Sequence, residues 1–288
     1  MKVIALVSYA ELPELTDDDR LLIPAFERLG ARAISVAWDG ACVDWLQFDH
    51  IVLRSCWDYH LRLKEFLEWL QHLEGVGVRL SNSARLVRWN ADKKYLKELQ
   101  RRGARIPPTY WIEEGEERDV GTLLRTHGWE TAVAKPTVSA SAHGLERVFI
   151  DDPAAKVISG PAMVQPFLPE VAIEGEWSLI FLGGKYSHAV LKLPAAGEFR
   201  VQGEFGGSTT SAEPSPSVLE AANRIIAMLA ETPRYARVDG IIHDGEFVLM
   251  EIELIEPVLF LGLGGAADRF ADVILNSNRS ELKESPGS

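Results

Sequence analysis

Apolar residues along the chain follow two rhythms, and the change from one to the other marks the elements. Lys2–Val7 is a continuous apolar run that predicts a first strand, and Leu21, Leu22, Ala25, Phe26 and Leu29 recur at helical spacing before Gly30. Thr16-Asp17-Asp18-Asp19 is a helix start with acids at the positive end, and Pro24 inside the run predicts a kink or a later start. Ala33–Ala37 and Ile51–Arg54 are predicted strands, and Leu63, Phe66, Leu67, Leu70 and Leu73 mark a helix that stops at Gly75. This alternation predicts a small parallel α/β domain over residues 1–85. A helix over Asp92–Arg102, capped by Asn90, follows. From Pro108 the rhythm becomes short strands: Thr109–Ile112, Thr131–Lys135, Arg147–Ile150 and Ala162–Gln165. Prolines 166 and 169 then break an apolar stretch as an interdomain connector would. Strands Glu176–Leu182 and Tyr186–Leu193, a helix over Ser217–Leu229 and a short helix near Ala266–Leu275 complete the pattern, and the polar tail Asn276–Ser288 is expected to fray.

One stretch breaks its own rhythm. Ala236–Pro257 predicts a buried hairpin about Asp244-Gly245, yet Asp239, Glu251 and Glu253 interrupt its apolar positions. Alternation sends Glu251 and Glu253 to one face, and two carboxylates so close in a poorly solvated place repel unless a cation lies between them. Oxygen donors without nearby His or Cys favour Mg²⁺, or Mn²⁺, over Zn²⁺. A solvated strand face is the plain alternative. A strict two-residue turn would pair Asp239 with Met250, whereas a three-residue loop with Gly245 left-handed would pair it with Glu251, so the looser turn is expected.

Composition narrows the function classes. At 288 residues there is room for one large or two to three small domains, and 47% hydrophobic with 25% charged residues is ordinary for a globular protein. The net charge of −12 argues against a nucleic-acid partner and against an anionic membrane surface, so any bound phosphate must meet locally placed cations. Cys42 and Cys56 lack metal spacing and are expected as core thiols in a reducing cytoplasm. The N-terminal stretch before Glu11 is too short for a signal peptide or a membrane span.

Other polar residues sit where chemistry could use them. Arg54, with Ser55 and Asp58 after it, ends a strand of the parallel sheet, where ligands bind; it could meet a substrate anion or pair with an acid for structure. Lys93 and Lys94 open the predicted helix, where they suit either an anion or a solvated turn. Lys135 ends an apolar strand and precedes the small residues Pro136–Gly144, whose backbone N–H groups could approach a phosphate; the alternative is a surface hairpin. That loop lacks the order of a Walker A motif. His143 within it is the one histidine placed for a direct role.

In sequence order these features form a pattern: WNADKKYL, AKPTVSASAHG, QPFLPEVAIEGEWSLIFLGGKY, GEFRVQGEFGGS and MEIELIEP. The chain resembles the ATP-grasp superfamily of ADP-forming carboxylate-amine ligases over nearly its whole length, most of all the glutathione-synthetase-like and ribosomal-protein-modifying branch. VLRSCWDYHLRLKEFLEWL is similar to the subgroup that includes D-cycloserine synthetase. The resemblance implies an ATP-grasp fold, α/β and α+β overall: an N-terminal parallel α/β domain at 1–85, a small central lid at 86–165 and a C-terminal antiparallel-sheet domain at 166–288. It further implies that Lys93 and Lys135 hold the nucleotide while Ser139, Ser141 and Gly144 close over its phosphates. Gln165, Phe167 and Leu168 would meet adenine and Glu176 the ribose; Lys192 and Arg200 would face the transferred phosphate and the substrate carboxylate; Asp239, Glu251 and Glu253 would hold two Mg²⁺ ions. Gly207 and Ser208, with Arg54 and Ser55, are candidates for the substrate side. Glu253 stands where the family usually has Asn, and the bulkier Ile255–Phe260 follows where small residues are usual.

The implied reaction transfers the γ-phosphoryl group of ATP to a carboxylate, and a nitrogen then displaces phosphate from the acyl phosphate. No protein nucleophile is needed. The substrate is a small amino-acid-like molecule, closed on itself as in the cycloserine subgroup or joined to a second one as in the glutathione-synthetase-like ligases. Two other classes compete: a non-catalytic nucleotide-binding regulatory protein and a metal-stabilised structural protein. The family's frequent dimers and tetramers imply that a homo-oligomer is an option.

Overall fold

The chain is described from a computed structural model covering residues 1–140, 142–152, 156–201 and 203–276. Strands β1 (Val3–Ser8), β2 (Arg32–Ala37), β3 (His50–Leu53) and β4 (Leu80–Ser81) form a parallel sheet in the order β2-β1-β3-β4. Helices α1 (Asp17–Arg20) and α2 (Leu22–Arg28) connect β1 to β2, and α3 (Leu63–Gly75) leads into β4. The Thr16 hydroxyl caps α1 by accepting from the Asp19 N–H. The break at Leu21 puts Pro24 in the first turn of α2, where its missing N–H forfeits no helical bond. Cys56 is buried as expected, but Cys42 is exposed. Its φ of 60° belongs to the turns between β2 and β3, which carry it away from the core.

The region after β4 departs from expectation. A helix α4 (Ala84–Asn90), capped by the Ser83 hydroxyl, precedes α5 (Tyr95–Arg101), so Asn90 ends one helix instead of capping the next. The reason is tertiary. Asn90 donates to the Ile252 carbonyl and accepts from the Leu254 N–H, each at 2.8 Å, while the Lys93 N–H bonds the Thr137 carbonyl at 2.8 Å. Those contacts hold residues 91–94 in turns, so Lys93 lies outside α5 and Lys94 is its N-cap.

A second sheet, antiparallel in the order β5-β10-β7-β8, consists of β5 (Tyr110–Ile112), β7 (Thr131–Pro136), β8 (Glu146–Phe149) and β10 (Ala162–Pro166). Beside it lie a ribbon of β6 (Glu117–Asp119) with β9 (Val157–Ser159) and the helix α6 (Val120–His127), which buries Val120, Leu123 and Leu124. The third sheet follows the short helix α7 (Glu170–Ile173) and comprises β11 (Glu176–Leu182), β12 (Lys185–Leu193), β13 (Ser208–Ser211), β14 (Tyr235–His243) and β15 (Glu246–Glu253). Its order is β13-β12-β11-β14-β15, all antiparallel. Alternate residues supply two cores. Leu179, Phe181 and Val238 pack with α5 and α8 (Pro216–Ala227), whereas Ile180, Leu182 and Tyr235 pack with α2, β1 and α9 (Ala266–Leu275). The parallel sheet therefore shares its core with the third sheet. A parallel sheet followed by two antiparallel sheets is the α/β and α+β architecture the resemblance implied. No helix of the described residues is long and apolar enough to cross a membrane.

Candidate active site

The hairpin β14–β15 sets the site. Asp239 pairs with Glu251, as expected, but by a different device. His243 faces Glu246 across a strict two-residue turn, with Asp244 and Gly245 both left-handed at φ 52° and 74°. The register then shifts at Asp239/Gly240: Gly240 faces Leu249 and Asp239 faces Glu251, so Met250 is an extra, bulged residue. The looser turn is corrected to a tight turn plus a β-bulge. Gly240 is needed there because a Cβ would come within 2.3 Å of the Phe247 ring and 2.6 Å of the Val248 carbonyl oxygen.

Around these carboxylates the cations are ordered. Arg237 Nε lies 3.0 Å from both Asp239 oxygens, and Arg237 also bonds Glu253. Ser178 Oγ donates to Asp239 at 2.5 Å, and Lys192 Nζ lies 2.5 Å from Glu176 and 3.8 Å from Asp239. Lys93 Nζ is 3.0 Å from Glu251 Oε1 and donates to the Ser139 carbonyl at 2.6 Å. Burial would raise the Asp239 carboxyl, but Arg237 and Lys192 hold it below its ordinary range. Glu253 goes the other way, to about 7, because burial and the charges of Asp239 and Glu251 exceed the relief from Arg237. Burial lowers the Lys135 ammonium, whereas Lys192, with less of its surface exposed, is held above its ordinary value by Asp239 and Glu176.

Two cavities meet here. The larger, about 410 Å³, has Lys93, Ser139, Trp57, Tyr59 and Glu256 in its wall; the smaller, about 140 Å³, has Gln165, Phe167, Leu168, Glu176, Lys192 and Arg200. Lys135, Leu145, Arg237, Glu251 and Glu253 line both, and Asp239 lines the smaller. Of the residues expected to surround a nucleotide, Lys93, Lys135, Ser139, Gln165, Phe167, Leu168 and Glu176 thus line the two cavities, and Gly144 lines neither. Gly144, at φ 69°, folds the loop after Lys135 so closely that a Cβ would sit 2.8 Å from the Pro136 ring. Ser141 lies outside the described residues.

Four expected residues are elsewhere. Arg54 is buried with its Nε 2.8 Å from Asp19, and Ser55 donates to the same carboxylate at 2.7 Å, so the pairing alternative describes them. Gly207 and the exposed Ser208 line neither cavity. Arg200 chelates Glu198 and lies 3.6 Å over the Phe205 ring, facing the smaller cavity. The guanidinium at the junction is Arg237, which the sequence reading passed over. Its signal was available: two residues before Asp239 on a strand is the same face. His143 lies beside His60, with ring centroids 5.2 Å apart and the rings tilted by 55°, and lines neither cavity.

The donors suit a hard divalent cation. Three carboxylates of one hairpin lie on one face without His or Cys, and Glu251 and Glu253 keep 28% and 27% of their side chains exposed, toward the cavities. Among the described residues no three such groups are arranged about one point; Arg237 bonds Asp239 and Glu253, and Lys93 lies beside Glu251.

Comparison with known proteins identifies the family and the fold. Residues 4–82 match the family described as the N-terminal domain of D-cycloserine synthetase DcsG, a span that includes VLRSCWDYHLRLKEFLEWL. The chain is 30% identical to the cycloserine biosynthesis protein DcsG of Streptomyces lavendulae over 95% of this chain and 98% of that one. The crystal structure of D-cycloserine synthetase DcsG superposes with a TM-score of 0.80 at 28% identity, covering 94% of this chain and 98% of that chain. D-alanine–D-alanine ligase from Bacillus anthracis, complexed with ATP, shares the fold with a TM-score of 0.69 at 16% identity over 99% and 100% of the two chains. These likenesses set aside the non-catalytic and purely structural readings: the chain belongs to the D-cycloserine synthetase DcsG family of ATP-grasp ligases and is an ATP-dependent, ADP-forming enzyme.

Proposed function

We propose that the enzyme closes a C–N bond within a small amino-acid-like substrate by way of an acyl phosphate. The observation that carries this is the meeting of two cavities at Lys135, Arg237, Glu251 and Glu253. The adenosine of ATP binds in the smaller cavity, with adenine by Gln165, Phe167 and Leu168 and the ribose at Glu176, and its phosphates reach the junction, with Lys93, Lys135 and the Ser139–Gly144 loop about them. The acceptor lies in the larger cavity. Its carboxylate attacks the γ-phosphorus at the junction, ADP leaves, and the substrate's own nitrogen then adds to the acyl carbon and expels phosphate. Lys135, Lys192 and Arg237 neutralise charge as it moves to the leaving oxygens, an effect strengthened by their burial. Asp239, Glu251 and Glu253 are the residues that would hold Mg²⁺, which would supply positive charge to stabilise the transferring phosphoryl group. Ring closure is favoured over joining two substrates because the curated relative covering 95% of the chain is a cycloserine biosynthesis protein. The sheets are taken as the cores of units at 1–85, 86–165 and 166–288, and the free thiols fit a reducing cytoplasm.

The test is ADP release from the purified chain with Mg²⁺-ATP against amino acids, dipeptides and O-ureido-D-serine, with products identified by mass. A cyclised product from O-ureido-D-serine alone is the expected result. ADP release that needs a pair of substrates overturns ring closure in favour of a joining ligase. Release that survives Glu251→Gln undiminished removes the metal assignment.

A further inference from the structure

Part of the larger cavity has no role in the phosphoryl transfer derived above. Its wall there is built from Trp57 and Tyr59, in the turn after β3, and from Glu256 and Val258, after β15. Glu256 is 8% exposed. Among the described residues no side-chain donor bonds its carboxylate; its own backbone N–H turns to it, and Lys93, the cation acting on it, is engaged with Glu251 and Ser139. The segment that carries it is nonetheless firmly held. Three successive carbonyls are each clamped by a different side chain: Glu256 O by Trp57 Nε1 at 3.3 Å, Pro257 O by Arg54 at 2.5 Å and Val258 O by Arg237 at 3.1 Å. A buried acid without a protein counterion is costly, and a fold that fixes its backbone so thoroughly presents it to whatever enters the cavity.

We propose that Glu256 is the substrate's ammonium anchor: the larger cavity takes a small primary-amine-bearing amino-acid derivative with its ammonium group on the Glu256 carboxylate, beside the aromatic wall of Trp57 and Tyr59. This rests on the reading of that cavity as the acceptor's. Aromatic faces and a carboxylate together suit an alkylammonium ion, and each contributes more where water is excluded. Burial, followed by the charge of Glu253, pushes the Glu256 carboxyl up to about 8 in the ligand-free protein, and an incoming ammonium supplies the charge that would return it to the ionised form. Arg54, which bonds Asp19 and the Pro257 carbonyl, holds the backbone beside Glu256 and is part of the structure, not of the anchor.

The probes are D-cycloserine, which carries a primary amine, and isoxazolidin-3-one, the same ring without it, titrated calorimetrically into the full chain. Wild-type protein is expected to prefer the amine by about tenfold or more, the usual range for a hydrogen bond to a charged group. Glu256→Gln, which keeps shape and removes charge, is expected to bring the two within about twofold by weakening D-cycloserine alone. Equal binding of both rings to the wild type, a preference that survives Glu256→Gln, or binding of neither ring overturns the proposal. Failure of the ligase reading is seen separately: a chain that prefers D-cycloserine through Glu256 but releases no ADP with O-ureido-D-serine keeps the anchor and loses the reaction, whereas one that releases ADP while Glu256→Gln keeps the preference loses the anchor and keeps the reaction.

Discussion

Two arginines of this chain are buried to a similar degree, each chelated to an aspartate, yet they do different work. Arg54 is 1% exposed, bonds Asp19 and the Pro257 carbonyl, and lies 5.2 Å over the Tyr235 ring and 5.6 Å over that of Phe270. Arg237 is 9% exposed, bonds Asp239 and Glu253, and lines both cavities. The first is enclosed by rings and carbonyls, so its charge has nowhere to act except on structure. The second shares its carboxylates with open space, so a metal or a phosphate can compete for them. Residue type and burial are the same; access to a cavity distinguishes them.

The sharpest way to break this comparison is to remove each guanidinium with a side chain of similar length. Arg237→Met is expected to lower kcat/KM for ADP formation by about a thousandfold or more, on the order of 4 kcal/mol of transition-state stabilisation. It also leaves Asp239 and Glu253 without their partner. Mg²⁺ should therefore raise the melting temperature of this variant more than that of the wild type; an equal response in calorimetry would count against the carboxylates as metal ligands. Arg54→Met should instead cost about 3–5 kcal/mol of stability, read from denaturant midpoints, because Asp19 is left buried and unpaired. Activity per folded molecule should change far less. If Arg54→Met folds normally and loses phosphoryl transfer as completely as Arg237→Met, the two sites are not distinct.

What could be read from the sequence follows the same division. Asp239, Glu251 and Glu253 were legible because period-two alternation places them on one face regardless of what surrounds the hairpin. Arg237 obeys that rule equally and needed only its application. Glu256 and Trp57 were not legible: the bond between them spans 199 positions, and neither lies on a periodic face. The helix start at Asp92 was misplaced because Asn90 is a good cap by composition, while its actual partners, Ile252 and Leu254, belong to the far end of the chain. Strands β6 and β9 and helix α4 were missed for a related reason. β6 and β9 have three residues each and α4 has seven, too few for a period to stand out.

A third buried group tests whether remote electrostatics is structural, as it is for Arg54. His50, at the start of β3, is 3% exposed, and its pKa is lowered to about 4 by burial and then by the charges of Lys2 and Arg79. A histidine depressed in the folded state contributes stability that is present above its ordinary value of 6.5 and lost as pH falls toward 4, since the unfolded chain takes up the proton first. Over that window the loss attributable to His50 is on the order of 3 kcal/mol. Wild type and His50→Gln should show a difference in unfolding free energy that changes by this amount between neutral pH and pH about 4. A constant difference would mean that the imidazole is not held neutral.

The smallest expected effect concerns the device that aligns the carboxylates. If the register of β14–β15 is set by the bulge at Met250 and not by the turn, substitutions at the two places should differ. Gly240→Ala brings a methyl group within 2.3 Å of the Phe247 ring and 2.6 Å of the Val248 carbonyl, so strand or ring must move, at a cost of about 1–3 kcal/mol. That movement lies next to Asp239, and the Mg²⁺ dependence of ADP release should weaken with it. Asp244→Asn keeps a residue that tolerates φ 52° and should change stability by less than about 0.5 kcal/mol with the Mg²⁺ dependence unaltered. The reverse ranking would place control of the register in the turn, and the pairing of Asp239 with Glu251 would then depend on Asp244-Gly245 alone.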